Sequence, residues 1–156
     1  MGYLPFAVVC AIIFYVQALL VDVTAVAPDF APLLAVYLGL FAKRERVAAA
    51  VGVLGLLRGA LGAEPIGAVV LLNLTLAYLV LGLRDVLFGE RVATQWVVAF
   101  LGGAVFLVLR MILGVVVPLG GEEGPIGLAR VAVSTLVATA IAPVLFGLLR
   151  VLRVGP

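Results

Sequence analysis

The chain has 156 residues, 66% of them hydrophobic and 12% charged, with a net charge of +2 and a mean hydropathy of +1.38. Soluble domains carry about 45–50% apolar and 25% charged residues, so these proportions point to an integral membrane protein. With no histidine and one cysteine, Cys10, the chain lacks the commonest metal ligand, the usual general base and any intrachain disulfide.

Apolar runs at 4–26, 28–42, 47–62, 65–84, 94–117 and 128–150 predict six helices in one domain, 1–156, with no loop long enough to be a linker. The first run has no Lys or Arg before it and exceeds the length of a signal-peptide core. Pro28 directly after Ala25-Val26-Ala27 would obstruct cleavage, so a retained helix is expected. The second and third runs are short, reaching only about 22–24 Å at ~1.5 Å per residue. A re-entrant hairpin would strand Lys43-Arg44-Glu45-Arg46 near the midplane, so both are expected to span, protected by neighbours or by bilayer thinning. The third run carries Gly52, Gly55, Gly59 and Gly62, and the fifth Gly102, Gly103 and Gly114. Small residues let helices approach in lipid, which predicts close packing inside the bundle, a dimer face being the alternative. Pro65 and Pro125 stand where they can open the fourth and sixth helices.

The connections sort by sign. Lys43, Arg44 and Arg46, then Arg84 and Arg91, then Arg150 and Arg153 mark one side, whereas Asp22 and Asp29, Glu64, and Glu122 and Glu123 mark the other. Basic loops face the cytoplasm, so both termini are expected inside, and Trp96 suits an interfacial anchor.

Two stretches repeat each other: Leu57-Arg58-Gly59-Ala60-Leu61-Gly62 before Pro65-Ile66-Gly67, and Leu109-Arg110-Met111-Ile112-Leu113-Gly114 before Pro125-Ile126-Gly127. An arginine in such a segment costs about 2.5–3.5 kcal/mol on insertion scales and marks a candidate functional site. Counted from the outward ends, Gln17, Arg58, Asn73, Arg110 and Ser134 lie roughly 6–14 Å deep, which predicts one outward-facing polar layer. Asp22 is the expected partner of Arg58, with snorkelling to the interface as the alternative for either arginine. Glu64, Glu122 and Glu123 are expected to be solvated loop acids. No catalytic set and no metal site emerge, and the basic residues form no nucleic-acid-binding patch.

Val26-Ala27-Pro28-Asp29-Phe30-Ala31-Pro32-Leu33-Leu34-Ala35-Val36-Tyr37-Leu38, then a short basic turn, resembles the Pro-Asp-led second helix of the rod shape-determining protein MreD family. Gly55-Leu56-Leu57-Arg58-Gly59-Ala60-Leu61-Gly62-Ala63-Glu64-Pro65-Ile66-Gly67 is similar to that family's third helix and turn, GLLxDLLSGxPLG, with Gly59 where the family's acid stands. The resemblance implies an all-α bundle similar to the S-components of energy-coupling-factor transporters. It further implies a non-enzymatic scaffold of the bacterial cell-elongation machinery, in the cytoplasmic membrane and without a cofactor. Its implied partners are an MreC-like single-pass coiled-coil protein, RodA and its transpeptidase, MreB and lipid. The alternative use of the same architecture is a substrate-binding S-component-like subunit of a small-molecule uptake transporter, with the arginines clamping an anion.

Overall fold

A computed structural model describes residues 3–24, 28–61, 64–86, 92–117 and 125–151. These form six helices, α1 (Tyr3–Thr24), α2 (Phe30–Phe41), α3 (Arg44–Leu61), α4 (Ile66–Leu83), α5 (Val92–Val116) and α6 (Pro125–Val151), with no strand among the described residues. The expected helices are all present, with shifted ends. Helix α3 begins at Arg44 rather than at the apolar run, because backbone hydrogen bonding continues past the point where hydropathy falls. Pro65 is the N-cap of α4 and Pro125 opens α6, as proline's missing N–H allows.

Helices α1, α4, α5 and α6 contain segments long and apolar enough to cross a membrane, which makes this a multi-pass membrane protein. Helix α2 has 12 residues, a reach of roughly 18 Å against a ~30 Å hydrocarbon core. Its residues Phe30 through Leu40 are all buried, and it touches each of the other five helices. A helix apolar on every side belongs in an interior. Shielded from lipid by its neighbours, α2 acts as a central strut. Helix α3 is 18 residues long and carries Arg44, Glu45, Arg46 and Arg58, so it is less apolar than the four long helices.

Glycine sets how closely the helices approach. A Cβ on Gly55 would lie 3.0 Å from the Val70 Cα, and one on Gly59 3.0 Å from the Ile66 Cα, so α3 and α4 meet backbone to backbone over a full turn. Gly39 abuts the Ala77 carbonyl of α4, and Gly102 abuts Val36 of α2. These glycines therefore serve contacts within one bundle. Gly52 has nothing within 4 Å of its Cβ position, and Gly114 is exposed.

The C-terminal end of α2 is tied down by its neighbours. Arg84 donates from Nη1 to the Ala42 carbonyl at 2.9 Å, satisfying an acceptor that the helix end leaves open. Arg150 of α6 sits 4.6 Å over the Phe41 ring, which packs with Tyr37 and Phe146. Cys10 is wholly buried in the core. Trp96, near the start of α5, is exposed. Arg91, Arg153, Gly62, Glu122, Glu123 and the Ala25-Val26-Ala27 stretch lie outside the described residues.

Candidate functional site

Three of the polar groups singled out from the sequence, Gln17, Arg58 and Arg110, meet the N-terminal ends of α2 and α4. The first backbone N–H groups of any helix lack partners within it. At α2 two of them are met by side chains. Asp29, the N-cap, accepts from the Ala31 N–H at 3.1 Å through Oδ1, and Gln17 of α1 accepts from the Phe30 N–H at 3.2 Å through Oε1. The Asp29 carboxylate is thus fixed where the helix dipole favours negative charge. Arg58 Nε of α3 faces Asp29 Oδ1 at 3.7 Å. Arg58 therefore pairs with Asp29 and not, as expected, with Asp22. Capping holds Asp29 in place, whereas Asp22 sits on an exposed part of α1.

The second arginine repeats the arrangement. Arg110 Nη2 of α5 is in direct contact with Glu64 Oε1, and each side chain is 18% exposed. Glu64 immediately precedes the N-cap of α4. It is an ion-pair partner and not a solvated loop acid, because Arg110 reaches it across the bundle. The doubled motif now has a structural meaning. In each unit the arginine, near the end of one helix, answers the acid at the start of the helix before it: Arg58 of α3 for α2, and Arg110 of α5 for α4. Pairing offsets the cost of placing a guanidinium among apolar helices.

The expected single polar layer resolves into separate places. Gln17, Asp22 and Arg58 line one cavity of about 270 Å³ between α1 and α3. Arg110 belongs to the Glu64 pair. Ser134 is buried on α6, near Thr135 and Thr139, whose hydroxyls donate to the Val131 and Thr135 carbonyls of their own helix at 2.9 Å. Asn73 is wholly buried in α4, donating from Nδ2 to the Val69 carbonyl at 2.8 Å, and its Oδ1 has no partner among the described residues. An unpaired buried acceptor costs about 1–3 kcal/mol. Asn73→Leu is accordingly expected to raise the unfolding free energy in detergent by about 1 kcal/mol; a loss of that size would mean that Oδ1 is satisfied in the native protein.

Of the motif positions, Pro28 is buried, Asp29 caps α2, Gly55 and Gly59 seat α4, Pro65 opens α4, and Gly67 has open space at its Cβ position. Sequence reasoning missed the partners Asp29 and Glu64, although each acid stands just before a helix start. It also passed over Arg130, an exposed side chain on the early turns of α6 that is engaged in an interaction. Among the described residues no cluster of three His, Cys, Asp or Glu side chains could hold a metal. Compared with known proteins, the chain matches no family model, no curated protein and no solved structure.

Proposed function

We propose that this chain is a non-enzymatic scaffold of the bacterial cytoplasmic membrane, similar to the MreD proteins of the cell-elongation machinery, with six crossings and both termini in the cytoplasm. It engages an MreC-like single-pass coiled-coil protein through its outward half. The observation that carries this reading is that the charged groups near the helix starts are joined in pairs that brace the bundle, Asp29 with Arg58 and Glu64 with Arg110. A rigid outward end suits docking. The Pro-Asp and Gly-rich stretches that resemble the family supply a helix cap and a helix seat, as a scaffold requires. At Gly59 the chain departs from the family: a side chain there meets Ile66 of α4. The Arg58–Asp29 pair carries the charge of this region instead.

Affinity purification of the tagged full chain from native membranes tests the proposal. The expected result is a stable complex with a single-pass coiled-coil protein, accompanied by a RodA-like glycosyltransferase. A complex with two ATPases and a coupling membrane subunit would overturn it in favour of the uptake-subunit reading, which the cavity beside Arg58 and Asp22 favours. Orientation is tested by thiol labelling in a Cys10→Ala background. Lys43→Cys should react with a membrane-impermeant reagent only after permeabilisation, and Glu122→Cys in intact cells. The reverse pattern would sink the topology.

A further inference from the structure

The cavity between α1 and α3 is lined by polar groups whose bonding capacity the fold leaves partly unused. Gln17 spends its amide oxygen on α2, and its NH₂ makes no hydrogen bond among the described residues. Arg58 faces Asp29 through Nε at 3.7 Å, longer than a hydrogen bond, so the guanidinium keeps donor capacity to spare. Asp22 lines the same cavity and makes no hydrogen bond or ion pair among the described residues. The cavity therefore offers donors for an anion and a carboxylate for a cation.

Its other walls are apolar. Phe14 is buried behind the polar groups, and Val21 and Leu61, 47% and 59% exposed, form the rim. In a membrane, exposed apolar side chains of this kind lie against acyl chains. A ligand that satisfies the whole site has a phosphate, an ammonium group close to it, and hydrocarbon that leaves over the rim. At about 270 Å³ the space is at the lower limit of small-molecule sites and suits a headgroup.

From this juxtaposition we infer that the α1–α3 cavity binds the headgroup of a zwitterionic aminophospholipid of the phosphatidylethanolamine class, its phosphate on Arg58 and Gln17 and its primary ammonium on Asp22. Arg58 offers the fork that phosphate oxygens accept. Asp22 selects a primary ammonium over choline, because only the former donates N–H bonds. It also disfavours phosphatidylglycerol, which would leave the carboxylate unmatched beside a second anion. The inference depends on membrane insertion and not on the scaffold reading, so a pull-down without an MreC-like partner leaves it standing.

Native mass spectrometry of the full chain in detergent, with equimolar phosphatidylethanolamine, phosphatidylcholine and phosphatidylglycerol of matched acyl chains, tests it. Phosphatidylethanolamine should be retained about tenfold over the other two, the scale of one charge-assisted hydrogen bond. Asp22→Asn, at an exposed position without an ion pair among the described residues, should fold normally and abolish that preference, whereas Arg58→Gln should weaken retention of all three lipids. Excess free phosphoethanolamine should displace nothing. Equal retention of the three lipids would overturn the assignment, as would a preference that survives Asp22→Asn. Displacement by free phosphoethanolamine would reassign the site to a soluble zwitterion. If Arg58→Gln fails to fold, the Asp22→Asn comparison decides alone.

Discussion

Gly55→Leu is expected to lower the stability of the bundle by about 3 kcal/mol or more, the upper range for overpacking a close interface. The reason lies in what the new side chain would meet. Its Cβ alone falls 3.0 Å from the Val70 Cα and into the Val70 side chain, and a backbone atom of a packed helix cannot rotate away. One turn further along, Gly59 stands in the same relation to Ile66. Relief at Gly55 therefore requires α4 to move away from α3 along its first turns, and Glu64 and its pair with Arg110 would move with it. Gly52→Leu is the control on the same helix, since nothing lies within 4 Å of its Cβ position. It should not destabilise the protein and is expected to gain about 0.5–1 kcal/mol, because glycine inside a helix is disfavoured by that amount. Denaturant titration in detergent, followed by the fluorescence of Trp96, measures both. Equal effects at the two positions would refute the close α3–α4 seat.

Removing one partner of the Arg110–Glu64 pair should cost about 2–3 kcal/mol, somewhat below the 3–5 kcal/mol of a fully buried pair because each side chain is 18% exposed. Arg110→Leu leaves a carboxylate at the start of α4 with no cation across the bundle. Glu64→Gln leaves a guanidinium among apolar side chains of α5. The double substitution removes both uncompensated charges and should recover most of the loss, giving a coupling energy of about 1 kcal/mol or more. Additive losses would mean that the two groups do not interact in the native protein. Arg58 and Asp29, separated by 3.7 Å through one nitrogen, should couple more weakly than this pair. The ordering of the two cycles tests the geometry without reference to any function.

The existence and approximate extent of the six helices were legible because runs of apolar residues between charged connections leave few other solutions. The helix ends were less legible, since hydropathy marks the boundary with water and the backbone hydrogen bonds of α3 run beyond it to Arg44. Pro65 and Pro125 could be placed from local chemistry alone, because a missing N–H costs nothing in a first turn. The pairing of charges could not be placed so. Asp22 and Asp29 are both plausible neighbours of Arg58 along the chain. What separates them is that the α2 amides hold Asp29 in place while Asp22 stays exposed on α1.

The doubled Leu-Arg motif shows where local and tertiary information divide. Composition alone determined that this is a helical membrane protein, that its two embedded arginines need compensation, and that glycine lets its helices approach. These follow from transfer costs and backbone sterics, which act residue by residue. Only the tertiary structure decided that α2 is a fully enclosed strut, that each arginine answers the acid opening the preceding helix, and that Gln17, Asp22 and Arg58 share a cavity while Asn73 and Ser134 lie apart. Which side chains meet depends on how far each helix is rotated and shifted against its neighbours. Packing between glycine faces and apolar ridges sets that register, through contacts distant in sequence.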